Sequence, residues 1–139
     1  MGKLFTARVY DYAKLKEAHP KARFVCVMRF PPKFIPAEVK RMRSMSPSIK
    51  TLAEYKKAND FDGFTKAFEK EVLSNPDFKD DACNVCDMLV AQDVVLMCHE
   101  KYGENCHRHL LPKLILGNDM SAYGGELLPP VKQTELGWE

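Results

Sequence analysis

No apolar run in the chain approaches the roughly 18 residues that a membrane-spanning helix needs, and no signal peptide opens it. Charge of one sign is also scarce: a net +2 is too small to argue nucleic-acid binding by itself, so nucleic acid stays open as a partner. Internal repeats, low-complexity segments and domain boundaries are missing, so one domain over residues 1–139 is expected. No nucleophile elbow or phosphate loop occurs, and Gly124-Gly125 is too little to make one. The five cysteines are odd in number and scattered, which argues against a disulfide framework and for reduced thiols in the cytoplasm. Met1-Gly2 with Thr6 fits a loose myristoylation pattern, but Leu4 to Tyr10 reads as a core strand, so no membrane attachment is expected.

What the chain does have is 45% hydrophobic and 29% charged residues, the balance of a globular domain with a real core. That core is organised around Val94 to Leu111. Val94 to Cys98 is short and apolar, as a strand covered on both faces would be. A polar loop follows, and then Asn105 as a candidate N-cap for a helix whose first turn carries Cys106, His107, Arg108 and His109. Leu110, Leu111, Leu114 and Ile115 form its apolar stripe, which turns His107 to the sheet, His109 to solvent and Arg108 to the margin. Pro112 interrupts this helix, which must kink there or have a separate first turn.

Leu4 to Tyr10 reads as a first strand, capped by Asp11 into a short helix through Glu17. Phe24 to Met28 is a second continuous apolar strand, with Cys26 a small core residue. Arg29 follows, and Pro31-Pro32 drives the chain out of the sheet. From Arg29 to Lys50 six basic residues oppose one acid, Glu38, giving either a solvated face or a basic lip suited to an anion. Ser46 or Ser48 starts a helix near Pro47, a good first-turn residue, that runs to about Ala58 with Leu52 and Tyr55 inward. Asn59-Asp60 recaps the chain, and Phe61, Phe64, Phe68 and Val72 define the next helix. Asn75-Pro76-Asp77 ends it, and Asp80 or Asp81 starts another whose inner face is Val85, Met88 and Leu89. A short edge strand is expected within Met120 to Leu128, and a tail from residue 129 that is poorly ordered or packs on another copy.

The motif Cys98-x-Glu100-Lys101-x-Gly103-x-x-Cys106-His107-Arg108-His109-Leu110 resembles the signature of the bacterial domain of unknown function 488 family (DUF488). Other stretches agree in order: Leu4-Phe5-Thr6 with Ala13-Lys14-Leu15, Arg29-x-Pro31-Pro32, Ser46-Pro47-Ser48, Leu52-x-x-Tyr55-Lys56 and Phe68-x-x-Glu71-Val72-Leu73. The resemblance implies a compact Rossmann-like α/β domain with the Cys and Arg positions near one pocket. It implies no established activity.

The expected fold is thus a three-layer α/β domain, with a parallel-rich central sheet and helices on both faces. Three functional readings compete. An enzyme or enzyme-derived binder would act on a nucleotide, nucleobase or other anionic small molecule. Cys106, His107 and Glu100 would do acid–base or nucleophilic work, and Arg29, Cys98 and Arg108 would bind the ligand. A thiol redox or metal protein would draw on Cys83-x-x-Cys86, Cys98, His99, Cys106, His107 and His109. Zinc knuckles usually repeat one spacing, which these residues do not, so no metal site is expected. A non-catalytic regulatory or interaction module is the third. The sequence names no cofactor and sets no oligomeric state.

Overall fold

The computed structural model describes residues 1–99 and 106–130. Among them, five parallel strands form one sheet in the order β3-β2-β4-β1-β5. β1 is Leu4–Arg8, β2 Arg23–Cys26, β3 Lys40–Arg41, β4 Val94–Cys98 and β5 Tyr123–Glu126. The helices are α1 (Tyr12–Ala18), α2 (Ile49–Ala58), α3 (Phe61–Leu73), α4 (Pro76–Leu89) and α5 (Leu111–Leu116). The architecture is a three-layer α/β domain, and the two apolar strands are parallel neighbours, with Cys26 opposite Met97 and Val25 opposite Leu96.

All five residues of β4 are buried, because both faces of the sheet are covered. On one face Leu4, Val25, Val94 and Leu96 pack with Met42, Met45, Phe64, Phe68, Val85, Leu89 and Leu111 from the α2–α5 side. On the other, Ala7, Val9, Phe24, Cys26, Val95 and Met97 pack with Leu15 of α1 and with Ile35 and Val39. No helix among the described residues is long and apolar enough to cross a membrane.

Local chemistry sets the element ends. The Ser48 hydroxyl caps α2 through the Thr51 amide, and the Asp60 carboxylate caps α3 through the Gly63 amide. Asn59 between them takes the left-handed conformation at φ 52°. Asn75-Pro76 proves to be a start signal: Asn75 caps the amide of Asp77 and proline occupies the first turn of α4, four residues ahead of Asp80. Inside α2 the fully covered residue is Thr51, while Leu52 and Tyr55 are half-buried. Strand β1 stops at Arg8, where Val9–Asp11 tightens into a 3-10 turn.

The expected long helix at Cys106 is two pieces. His107–His109 is a 3-10 turn entered from an extended Cys106, and α5 begins at Leu111 with Pro112 in its first turn. There proline's missing N–H falls where no intrahelical partner exists. Asn105 and Trp138 lie outside the described residues.

The connections of the sheet place a crevice. After β2 the chain moves outward to β3, whereas after β4 it moves the opposite way to β5. The two paths diverge between the C-terminal ends of β2 and β4, and open α/β sheets hold their ligands at such a switch point.

A Cys/His/Arg cluster at the ends of β2 and β4

At that crevice lies a cleft of about 220 Å³ lined by Met28, Arg29 and Phe30 after β2, Cys98 and His99 at the end of β4, Pro47, Leu52 and Lys56, and His107. Three of the sequence-predicted residues, Arg29, Cys98 and His107, therefore meet on one cavity wall. Two larger surface hollows lie elsewhere, one beside His19 to Ala22 and one beside Cys83 and Cys86. Volume alone does not select a site, and neither of those gathers the charged and nucleophilic groups of the crevice.

His107 is the hub. Its Nε2 lies 2.7 Å from the carbonyl oxygen of Val27, just beyond β2. A carbonyl only accepts, so Nε2 carries the hydrogen, and in the neutral ring Nδ1 is left as an acceptor. Nδ1 faces two sulfurs: Cys98 Sγ at 3.6 Å and Cys106 Sγ at 3.8 Å. Cys98 is also 3.7 Å from Nε2, so it does not lie on the axis of either nitrogen. Phe68 packs edge-on against the imidazole at 5.5 Å. The ring is 7% exposed and both cysteines 3%.

Arg108 was expected at the margin but is fully buried. The helical wheel fails because residues 107–109 do not share the phase of α5. Instead the side chain runs to β5, where Nε and Nη2 donate to the two carboxylate oxygens of Glu126 at 3.2 and 2.7 Å. Burial disfavours its charge, but the Glu126 hydrogen bonds and the nearby Cys106, Glu126 and Cys98 outweigh this and raise its pKa. Among the described residues its Nη1 has no hydrogen-bond partner. Glu126 itself is raised by burial, yet hydrogen bonds from His109, Arg108 and Thr6 bring it down to about 2. His109, expected toward solvent, is exposed and reaches Glu126 at 3.5 Å.

Arg29 is anchored rather than loose. Its Nε donates to the Pro47 carbonyl at 3.0 Å. Its charge also bears on Glu71, whose carboxylate accepts from Ser48 and Thr51; burial raises that pKa, but these partners bring it below the ordinary value. Glu100 lies outside the described residues.

Cys106 is extended and precedes a three-residue 3-10 turn rather than a helix, so no helix dipole bears on its thiol, and Arg108 is the positive group beside it. Cys26 is a core thiol, pushed up by burial. Cys83 and Cys86 are exposed on α4, away from the cluster. Cys98, Cys106 and His107 present three ligand atoms within 4.8 Å of one another, a group that could hold a metal ion.

A family model described as the active DUF488-N3 subclade matches residues 7–119. The chain belongs to the DUF488 family. No curated protein and no solved structure matches it. The DUF488 match takes in Arg29, Cys98, Cys106, His107 and Arg108, whereas Glu126 lies beyond it.

Sequence reasoning missed Val27 and Glu126. Val27 contributes only a main-chain oxygen, which no residue type reveals. Glu126 had a faint signal in Gly124-Gly125. A β-carbon on Gly124 would meet the Phe5 ring, and Gly125 has φ 95°. The pair creates the register shift that sets Glu126 beside Thr6.

Proposed function

We propose that this DUF488 protein is an enzyme, or derives from one, that acts on a nucleotide, nucleobase or other anionic small molecule in the cleft. Cys106, beside the cleft-lining His107 and not itself on the cleft wall described above, serves as nucleophile, with His107 as its base. The thiol proton passes to Nδ1 as sulfur attacks the substrate, and the imidazolium returns it to the leaving group. Cys98 and Arg29 contact the ligand, and Arg108 favours the thiolate form of the cysteines beside it. Glu100 completes the proposed set, with no step assigned to it.

The observation that carries this reading is the 2.7 Å bond from His107 Nε2 to the Val27 carbonyl, which turns Nδ1 toward both thiols. A base held by a third group beside a nucleophile is the arrangement that thiol catalysis requires. The subclade's description as active favours catalysis over passive binding. The test is to denature purified protein and identify released small molecules by mass spectrometry, comparing wild type with Arg29→Ala. An anionic compound present in the first and depleted in the second supports the reading. No release, together with no binding of nucleotides or sugar phosphates, rejects it.

A second reading has its own observation. Zinc bonds of about 2.3 Å to sulfur and 2.1 Å to nitrogen place tetrahedral ligands roughly 3.6 Å apart. The sulfur–Nδ1 distances of 3.6 and 3.8 Å fit that spacing. Metal-bound imidazoles also donate their other N–H to a carbonyl, as Nε2 does here. In that case Cys98, Cys106 and His107 would hold zinc and leave a position open to the cleft. Stoichiometric zinc by elemental analysis, lost in Cys98→Ser, would favour this reading over the thiol one.

A further inference from the structure

Among the described residues, the large exposed aromatic side chains are Tyr10, Phe30 and Phe34, at 46%, 68% and 54% exposure. All three follow the C-terminal ends of β1 and β2, on the edge that carries the cleft. Single exposed rings need no explanation, but Tyr10 and Phe34 are in contact and, through His99, reach the cleft that Phe30 lines. Phe30 lines the cleft together with His99. The His99 Nδ1 is 3.0 Å from the Tyr10 hydroxyl, and the two rings meet edge-on at 5.2 Å. Tyr10 in turn packs against Phe34 at 5.6 Å, and the Arg8 guanidinium lies 4.9 Å from the Tyr10 ring centre. The other aromatic group, Tyr55, Phe61, Phe64 and Phe68, stacks within the α2–α3 layer as core.

Positive charge stands where the rim meets the cavity: Arg29 and Lys56 line the cleft. The cavity of about 220 Å³ is smaller than the ~300–1,000 Å³ of pockets that enclose a whole drug-sized ligand. It has room for a phosphorylated sugar, with any planar group left outside against the rim. Resting on the proposed function, we infer that the substrate class is a nucleoside monophosphate. Its phosphate and sugar enter between Arg29 and Lys56, and its base stacks on Phe30, with Phe34 and Tyr10 extending the platform. Aromatic faces attract bases of any sequence, and the adjacent cations supply the charge complement.

The test compares binding by titration calorimetry of AMP, CMP, ribose 5-phosphate and a ten-residue oligothymidylate to wild type, Phe30→Ala and Phe34→Ala. Both phenylalanines are exposed, so the variants keep the fold, which circular dichroism checks. The mononucleotides should bind wild type roughly tenfold or more tightly than ribose 5-phosphate. Phe30→Ala should erase that difference while ribose 5-phosphate binding stays, and Phe34→Ala should reduce it. Equal binding of nucleotides and ribose 5-phosphate, or a preference surviving both substitutions, overturns the stacking assignment but leaves the anion site standing. Binding of the oligonucleotide alone overturns it in favour of a strand ligand. If no phosphorylated probe binds, the stacking assignment falls, and the anionic-ligand reading beneath it falls too when denatured wild type releases no anionic compound.

Discussion

The Nε2 of His107 donates to the carbonyl of Val27 across 2.7 Å, joining the turn after β4 to the end of β2. The bond spans the two sides of the switch point and fixes which nitrogen faces the thiols. Long-range ¹H–¹⁵N spectra of the neutral protein should find the His107 proton on Nε2. His107→Gln should keep a donor for Val27 and part of the fold's stability but lose the protonatable nitrogen that Nδ1 provides.

The buried pair of Arg108 and Glu126 yields a stability prediction. Removing one partner strands the other charge in the core, so Glu126→Gln or Arg108→Ala should cost about 3–5 kcal/mol in urea unfolding. Replacing both, as Arg108→Met with Glu126→Leu, should recover much of the loss. If the single changes are nearly neutral, the pair does not have the burial and geometry described here.

The same pair sets an acid limit. Glu126 is held at about 2, below its ordinary value near 4.3. A depressed carboxylate pKa contributes stability that is complete above the unfolded value and lost as pH falls through the folded one. The melting temperature should therefore decline from about pH 5 toward 2. Glu71, also lowered, adds to the slope in the same direction. Glu126→Gln should start from a lower melting temperature and show a shallower acid decline.

Much of the fold was legible in the sequence because β4 and β2 are covered on both faces, and such strands are continuous apolar runs. Caps at Ser48 and Asp60 were equally readable, since a side chain beside bare amides is a local signal. Asn75-Pro76 was half legible: it marks the end of α3, but an Asx-Pro pair can also begin a helix, and here it starts α4 two residues after α3 closes, ahead of Asp80. β3, only two residues long, carries no periodicity to detect. At the cluster, Cys98, His107 and Arg29 were visible as residue types at strand ends. The burial of Arg108 was not, because it depends on Glu126, 18 residues on and brought in by a bulge.

Arg29 separates binding from folding. Its guanidinium lines the cleft and is tied to Pro47 by one hydrogen bond. Arg29→Ala should weaken phosphate-containing ligands by roughly 1.5–3 kcal/mol, the worth of a charge-assisted contact. Thermal melting and ligand affinity measured on the same variant distinguish the roles. A fall in stability with unchanged affinity would make Arg29 a strut.

The central claim, that Cys106 is an activated thiol served by His107 and Arg108, is met most directly by timed iodoacetamide alkylation of the folded protein near pH 6, with peptide mapping. Cys106 should label first and Cys26 last, since burial raises the Cys26 thiol. Burial, with Cys83 and Asp87 nearby, also raises the exposed Cys86. His107→Ala should slow Cys106 labelling roughly tenfold or more, in line with loss of a positioned base. Labelling led by Cys83 or Cys86, with a Cys106 rate indifferent to His107, would contradict the account.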